Sequence, residues 1–219
     1  FKMCRRLKMK YSKKIMLGAV LWAVANGVYA SAANLRVAGT LLPTSCIPSF
    51  PAGGVYDLGT GAIKGFSADE LNTLPAKSFS YRIDCDAAIP VSYRVIDNRA
   101  STITGAGNRA WAYGLGRQGT ANLGYVSVLI AGQPRADGRA VALLRSDNAG
   151  GSWAGAALGT AVIPARSFSF TSTGSSAPEA FRRYEGAFTF QPYLRSLRGL
   201  NIDEEIVLDG SMTMEVTYL

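Results

Sequence analysis

The sequence predicts an all-β chain folded as a sandwich or barrel, behind a cleavable export leader. Three observations carry this prediction. Short runs rich in Val, Ile, Thr, Tyr and Phe recur along the chain, many of them alternating apolar with polar residues. Clusters of Gly, Pro, Asn and Asp separate those runs. Once the leader is set aside, two cysteines remain, the number needed for one bridge.

The leader comes first. Lys2, Arg5, Arg6, Lys8, Lys10, Lys13 and Lys14 precede an uncharged run from Ile15 to Val28, which ends in Tyr29-Ala30-Ser31-Ala32-Ala33. A basic start, a short apolar stretch and a small-residue cleavage site are the parts of a secretory signal. Residues 1–33 are therefore read as a signal peptide, cut after Ala30, Ala32 or Ala33. Residues 34–219 are read as a single domain, long enough for its own core. The apolar run is too short, and too interrupted by Asn26 and Gly27, to span a bilayer, so no membrane span is expected in the mature chain.

Removing the leader changes the electrostatics. Of 23 Lys and Arg, sixteen remain against all 15 Asp and Glu, so a net charge of +8 falls to +1. A charge carried mostly by the leader is no argument for nucleic acid binding. Cys4 leaves as well. Cys46 and Cys85 then form an even pair in an oxidising compartment, which reads as one disulfide worth about 4 kcal/mol by chain entropy.

Strands are expected at 34–42, 77–85, 89–96, 124–131, 139–144, 166–172, 184–192 and 206–219. Turns are expected at 51–54, 104–108, 132–138 and 147–151. One short helix is expected over Ser67–Leu74, with Ser67 as N-cap and Glu70 three residues on. There is no internal repeat and no long linker.

The composition argues against enzymes. The chain has no histidine, which removes the commonest general base and zinc ligand. Neither Lys64 nor Lys77 stands in an S-x-x-K sequence. Gly114-Leu-Gly116-Arg-Gln-Gly119 matches a dinucleotide fingerprint, but it runs on into strand-like sequence where a helix is required. No catalytic residue, cofactor site or metal site is assigned. Asp84-Cys-Asp86 and Asp203-Glu-Glu205 lack calcium-loop spacing. Trp111, Tyr113 and Trp153 could stack on a surface glycan if exposed.

The two ends carry the functional signal. Leu35, Val37, Gly39 and Leu41 fall on one face of a strand that precedes Cys46. Met212, Met214, Val216 and Tyr218 alternate with Thr213, Glu215, Thr217 and Leu219. Both segments resemble those of chaperone–usher fimbrial subunits. More narrowly, the chain is similar to a GltF-like group of fimbrial-associated exported proteins. That resemblance is carried by Thr44-Ser-Cys46, Gly54-Val-Tyr-Asp57-Leu-Gly59, Ile83-Asp-Cys85-Asp86, Val95-Ile-Asp97-Asn98-Arg99, Tyr113-Gly-Leu-Gly116, Trp153 and Leu208–Leu219.

The resemblance implies an immunoglobulin-like, pilin-type sandwich lacking its seventh strand. Leu35, Val37, Gly39 and Leu41 would be donated to a neighbouring subunit, and segment 34–42 would be the donor strand. Met212, Met214, Val216 and Tyr218 would line the groove edge or meet the chaperone. The implied partners are a periplasmic chaperone, an usher and other fimbrial subunits. The implied location is the periplasm in transit, then the fimbrium or surface of a Gram-negative cell. The alternative is a self-complete exported binding module, an adhesin or carbohydrate binder, that does not polymerise.

Overall fold

The computed structural model describes residues 45–219. The strands in chain order are β1 (Cys46–Ser49), β2 (Asn72–Thr73), β3 (Lys77–Ile89), β4 (Val91–Asp97), β5 (Ala112–Gly114), β6 (Arg117–Gln118) and β7 (Ala121–Asn122). They continue with β8 (Gly124–Ala136), β9 (Arg139–Ala140), β10 (Ala142–Ser146), β11 (Ala154–Ala156), β12 (Ser167–Thr171), β13 (Phe181–Leu194) and β14 (Met212–Tyr218). The expected signal peptide and the expected strand 34–42 lie outside the described residues.

Alternation in the long strands builds two sheets with a shared apolar interior. One sheet runs β1-β3-β13-β8-β5, with β2 beside β13 and β9 beside β8. The other runs β11-β10-β12-β4-β14, and β6 and β7 form a small ladder apart. The sheets pack as a sandwich. The order β1-β3-β13-β8 and the β4–β14 pair follow the A-B-E-D sheet and the C-F pair of immunoglobulin-type sandwiches.

Every second residue of the long strands points inward. Tyr81 and Ile83 of β3, Val128 and Ile130 of β8, and Tyr184 and Phe188 of β13 face Val91, Tyr93 and Val95 of β4 and Phe168 and Phe170 of β12. Tyr81 stacks on Phe188 with centroids 4.6 Å apart, and Tyr93 stacks on Phe168 at 5.6 Å. The two buried phenols satisfy each other across the sandwich, Tyr81 Oη donating to Tyr93 Oη at 2.7 Å. Such a pair keeps polar groups in the core at little cost only while both stay neutral.

That neutrality predicts an alkaline weakness. Desolvation raises the pKa of Tyr81, Tyr93 and Tyr113, and pushes that of Tyr184 up to about 12. A folded pKa above the unfolded value near 10 means that the folded state binds more protons above that pH. Stability is therefore complete below about pH 10 and falls as pH rises beyond it. Phenolate absorbance should show these tyrosines titrating together, in step with loss of circular dichroism. Gradual titration near pH 10 without unfolding would refute their burial.

The structure corrects several local expectations. The turn expected at 132–138 is far shorter. β8 runs on to Ala136 and reverses only at Asp137-Gly138, where both residues have positive φ (47° and 77°). Ala136 pairs with Arg139 across this two-residue hairpin, the geometry that Asp-Gly favours.

The helix expected at Ser67–Leu74 does not form. Ser67 Oγ does accept the Asp69 and Glu70 amides as a cap would, at 3.2 and 3.0 Å. Asn72 then closes the turn, its side chain accepting from Ser67 N and donating to the Ser67, Glu70 and Arg195 carbonyls. Asn72 and Thr73 pair with β13 as β2, so the sheet takes the residues a second helical turn would need.

The strand expected at 206–219 begins only at Met212, because the preceding residues are tied into a loop. Short strands β1, β2, β5, β6, β7 and β11 were not expected, being too brief to show a period.

Candidate functional site

The two sheets each end in an edge strand at the same side of the sandwich. β1 closes one sheet, β14 closes the other, and the Cys46 amide donates to Tyr218 Oη across the seam at 3.0 Å. The two edges are unequal, and the inequality follows from residue type and register.

β14 pairs only with β4 among the described residues. Its ladder is bounded by Asn98 N donating to Ser211 O and Leu219 N donating to Pro90 O, both at 3.0 Å. Hydrogen-bonded pairs alternate in an antiparallel ladder, so Thr213, Glu215 and Thr217 bond β4. Met212, Met214, Val216 and Tyr218 therefore turn their amides and carbonyls away from β4, toward the seam. Met214 is buried in the core, Met212 and Val216 are half-buried against it, and Tyr218 is exposed. Met212, Met214 and Val216 thus form an apolar inward face, and the seam side of β14 has no strand partner among the described residues.

β1 offers much less. Asp86 N donates to Ser45 O at 3.1 Å, so Ser45, Ile47 and Ser49 face β3. The seam side of β1 is left with Cys46, whose amide Tyr218 already engages, and Pro48, which has no N–H. Proline on an edge strand blocks further pairing. Of the two seam edges, β14 is the one that keeps a continuous unpaired side among the described residues.

The disulfide fixes the β1 wall. Cys46 and Cys85 stand directly opposite in a non-hydrogen-bonded pair, with Cα atoms 4.1 Å apart, and they are bonded. This is the close pairing of an antiparallel ladder, where the side chains approach most nearly.

Beside the first residues of β14 the seam widens into an apolar cleft of about 530 Å³. Phe79 of β3, Phe190 of β13, Val126 of β8, Leu115 and Met212 line it, together with Phe50 and Tyr56.

Residues far apart in sequence build a knot at the cleft rim. Asp97 accepts the Arg99 and Gly114 amides through its two carboxylate oxygens, each at 2.8 Å. Arg99 pairs with Asp209 at 2.6 Å, and Thr102 Oγ1 donates to Arg99 O and accepts from Gly116 N. The Asn98 side chain bonds Ser211 and Thr213 at the start of β14. The knot sets where β14 begins. Sequence reasoning used these segments only as fragments of a resemblance, and their order gave no sign that they meet.

Other expected positions fall elsewhere. Leu35, Val37, Gly39 and Leu41 lie outside the described residues. Tyr113 is fully buried, so it cannot serve as a glycan platform. Trp111 lies edge-on to Tyr125, with the Arg109 guanidinium 5.3 Å from its ring centroid. Trp153 is half-buried near Gly150. The glycines of the fingerprint-like segment sit in and between β5, β6 and β7, as a loop-and-strand segment with no helix. Among the described residues no helix is long and apolar enough to cross a membrane, and no group of three or more acidic, cysteine or histidine side chains is placed to hold a metal.

Comparison with curated proteins returns no match. A family model does match, over residues 35–124, a span that runs from the alternating segment before Cys46 through β1 to β7 and on to the first residue of β8. Over that part the chain is similar to the family described as protein of unknown function (DUF1120).

Proposed function

We propose that the chain is a fimbrial-type structural or adhesion subunit assembled by β-strand complementation, with a periplasmic chaperone and usher as its assembly partners. One observation carries the reading: the main-chain edge at Met212, Met214, Val216 and Tyr218 has no strand partner on its seam side among the described residues, and it begins at Met212 in the wall of an apolar cleft. Added strands bind by main-chain hydrogen bonds and gain register from alternate side chains seated in pockets. The segment Leu35, Val37, Gly39, Leu41 has the alternation needed to occupy such an edge on a neighbour. The disulfide supports export to an oxidising compartment. The lack of histidine argues for assembly over catalysis.

Proline scanning of β14 tests this directly. Val216→Pro removes an amide that faces the seam and leaves the ladder to β4 intact. The variant should fold and form its disulfide, but assembly of the full chain, read by size-exclusion chromatography, should fall about tenfold or more. Glu215→Pro removes a ladder amide instead and should compromise folding. Assembly of Val216→Pro at the wild-type level would overturn the proposal. A wild-type chain that stays monomeric at all concentrations would favour a self-complete binding module.

A further inference from the structure

The segment between β1 and β2 lies loosely over the cleft. It leaves β1 through a turn in which Ala52, Gly53 and Gly54 have φ of 50°, 66° and 82°. From Val55 to Leu58 no main-chain group bonds a strand main chain among the described residues. The Lys77 ammonium donates to Asp57 O at 3.3 Å and lies 5.8 Å from the Tyr56 ring centroid, as the principal tie to β3.

Tyr56 nevertheless reaches into the cleft. Its ring lies 5.2 Å from that of Phe190 and 6.4 Å, edge-on, from that of Phe79. Its hydroxyl is buried and has no partner among the described residues. Burial also raises its pKa. A phenol with an unsatisfied hydroxyl is a costly filling for an apolar pocket, and Phe would fill the same space without that cost. The residue is thus held weakly by its main chain and unfavourably by its own polar atom.

We infer that Tyr56 is a displaceable plug, occupying the cleft beside β14 until an apolar side chain of an added strand replaces it. The inference rests on the strand-addition reading, and the incoming strand is segment 35–41 of a second copy. On displacement the loop swings outward at Ala52–Gly54, the hydroxyl regains water, and an apolar group takes the contacts with Phe79 and Phe190. The unsatisfied hydroxyl lowers the barrier to exchange, while the ring shields the cleft from non-specific apolar contacts.

The test uses the full chain and a fluorescein-labelled synthetic peptide of residues 34–44. Peptide uptake is followed by fluorescence anisotropy, and amide exchange is measured at Met212–Tyr218. Tyr56→Ala, which empties the plug, and Lys77→Met, which loosens the loop, should each speed uptake about fivefold or more. Tyr56→Phe should slow uptake by a similar factor, because it removes the unsatisfied hydroxyl and keeps the ring. Thermal melts confirm that each variant is folded, and Lys77→Met and Tyr56→Phe keep the test decisive if Tyr56→Ala is not. Peptide that protects the β14 amides in every variant at one rate overturns the plug alone. Peptide that protects those amides in none of them overturns strand addition as well.

Discussion

Replacing Cys46 and Cys85 by serine is expected to lower the unfolding free energy by about 4 kcal/mol, through the freedom the open loop gains in the unfolded chain. The bridge spans 39 positions in sequence and joins the four-residue β1 to the long β3. β1 has little else to hold it. It pairs only with β3 among the described residues, Pro48 contributes no amide, and Ile47 is 63% exposed. Loss of the bridge should therefore act locally before it acts globally. Amide exchange at Asp84 and Asp86, which face β1, should accelerate ahead of exchange in the β13–β8 centre. Denaturant melts of the double variant and of the reduced wild type should agree. A loss below about 1 kcal/mol would show that β1 is held by its packing and not by the bond.

Gly114→Ala is expected to cost about 3 kcal/mol or more, because it inserts an atom where the backbone has no room. A Cβ at this position would lie 1.9 Å from Arg99 O and 2.4 Å from Thr102 Oγ1. Neither can yield without breaking the knot at the cleft rim, since Arg99 O accepts from Thr102 and the Gly114 amide donates to Asp97. Released from the knot, the loop through Asp209 would no longer set the start of β14. The variant should melt well below wild type and assemble poorly, even at temperatures where it remains folded. Gly107→Ala is the control. Gly107 has open space around it, and its φ of 59° imposes only a local strain. Equal effects at the two positions would remove the knot's special role.

Inverse outcomes in the two experiments separate the two walls of the seam. The disulfide holds β1, and the knot holds β14. A loss of assembly from the glycine variant, with little loss from the serine variant, points to β14 as the edge that binds.

Much of the scaffold was readable from the chain itself. Alternation placed β3, β4, β12 and the centres of β8 and β13, because a strand with one buried face must put apolar residues at every second position. It also showed Met212, Met214, Val216 and Tyr218 alternating with Thr213, Glu215, Thr217 and Leu219 in a strand-like run, and cysteine arithmetic paired Cys46 with Cys85. The local signals failed where a partner decides the outcome. Ser67 and Glu70 make a helix start that Asn72 and β13 override. The two glycines and one proline of 132–138 read as a turn, yet β13 keeps β8 extended as far as Ala136, with an irregular register between Glu185 and Ala187.

Residue type and near-neighbour spacing were enough to read an all-β chain, a sandwich or a barrel, with one disulfide and the apolar faces of its longer strands, since those features are local. The folding of one sheet onto the other settled which described strands are edges, that Pro48 blunts β1 while β14 keeps an unpaired side among the described residues, and that Tyr56 comes to line the cleft beside Phe79 and Phe190. Edges, knots and clefts are relations between residues tens of positions apart, set by how two sheets close on each other, and no local pattern of side chains encodes them.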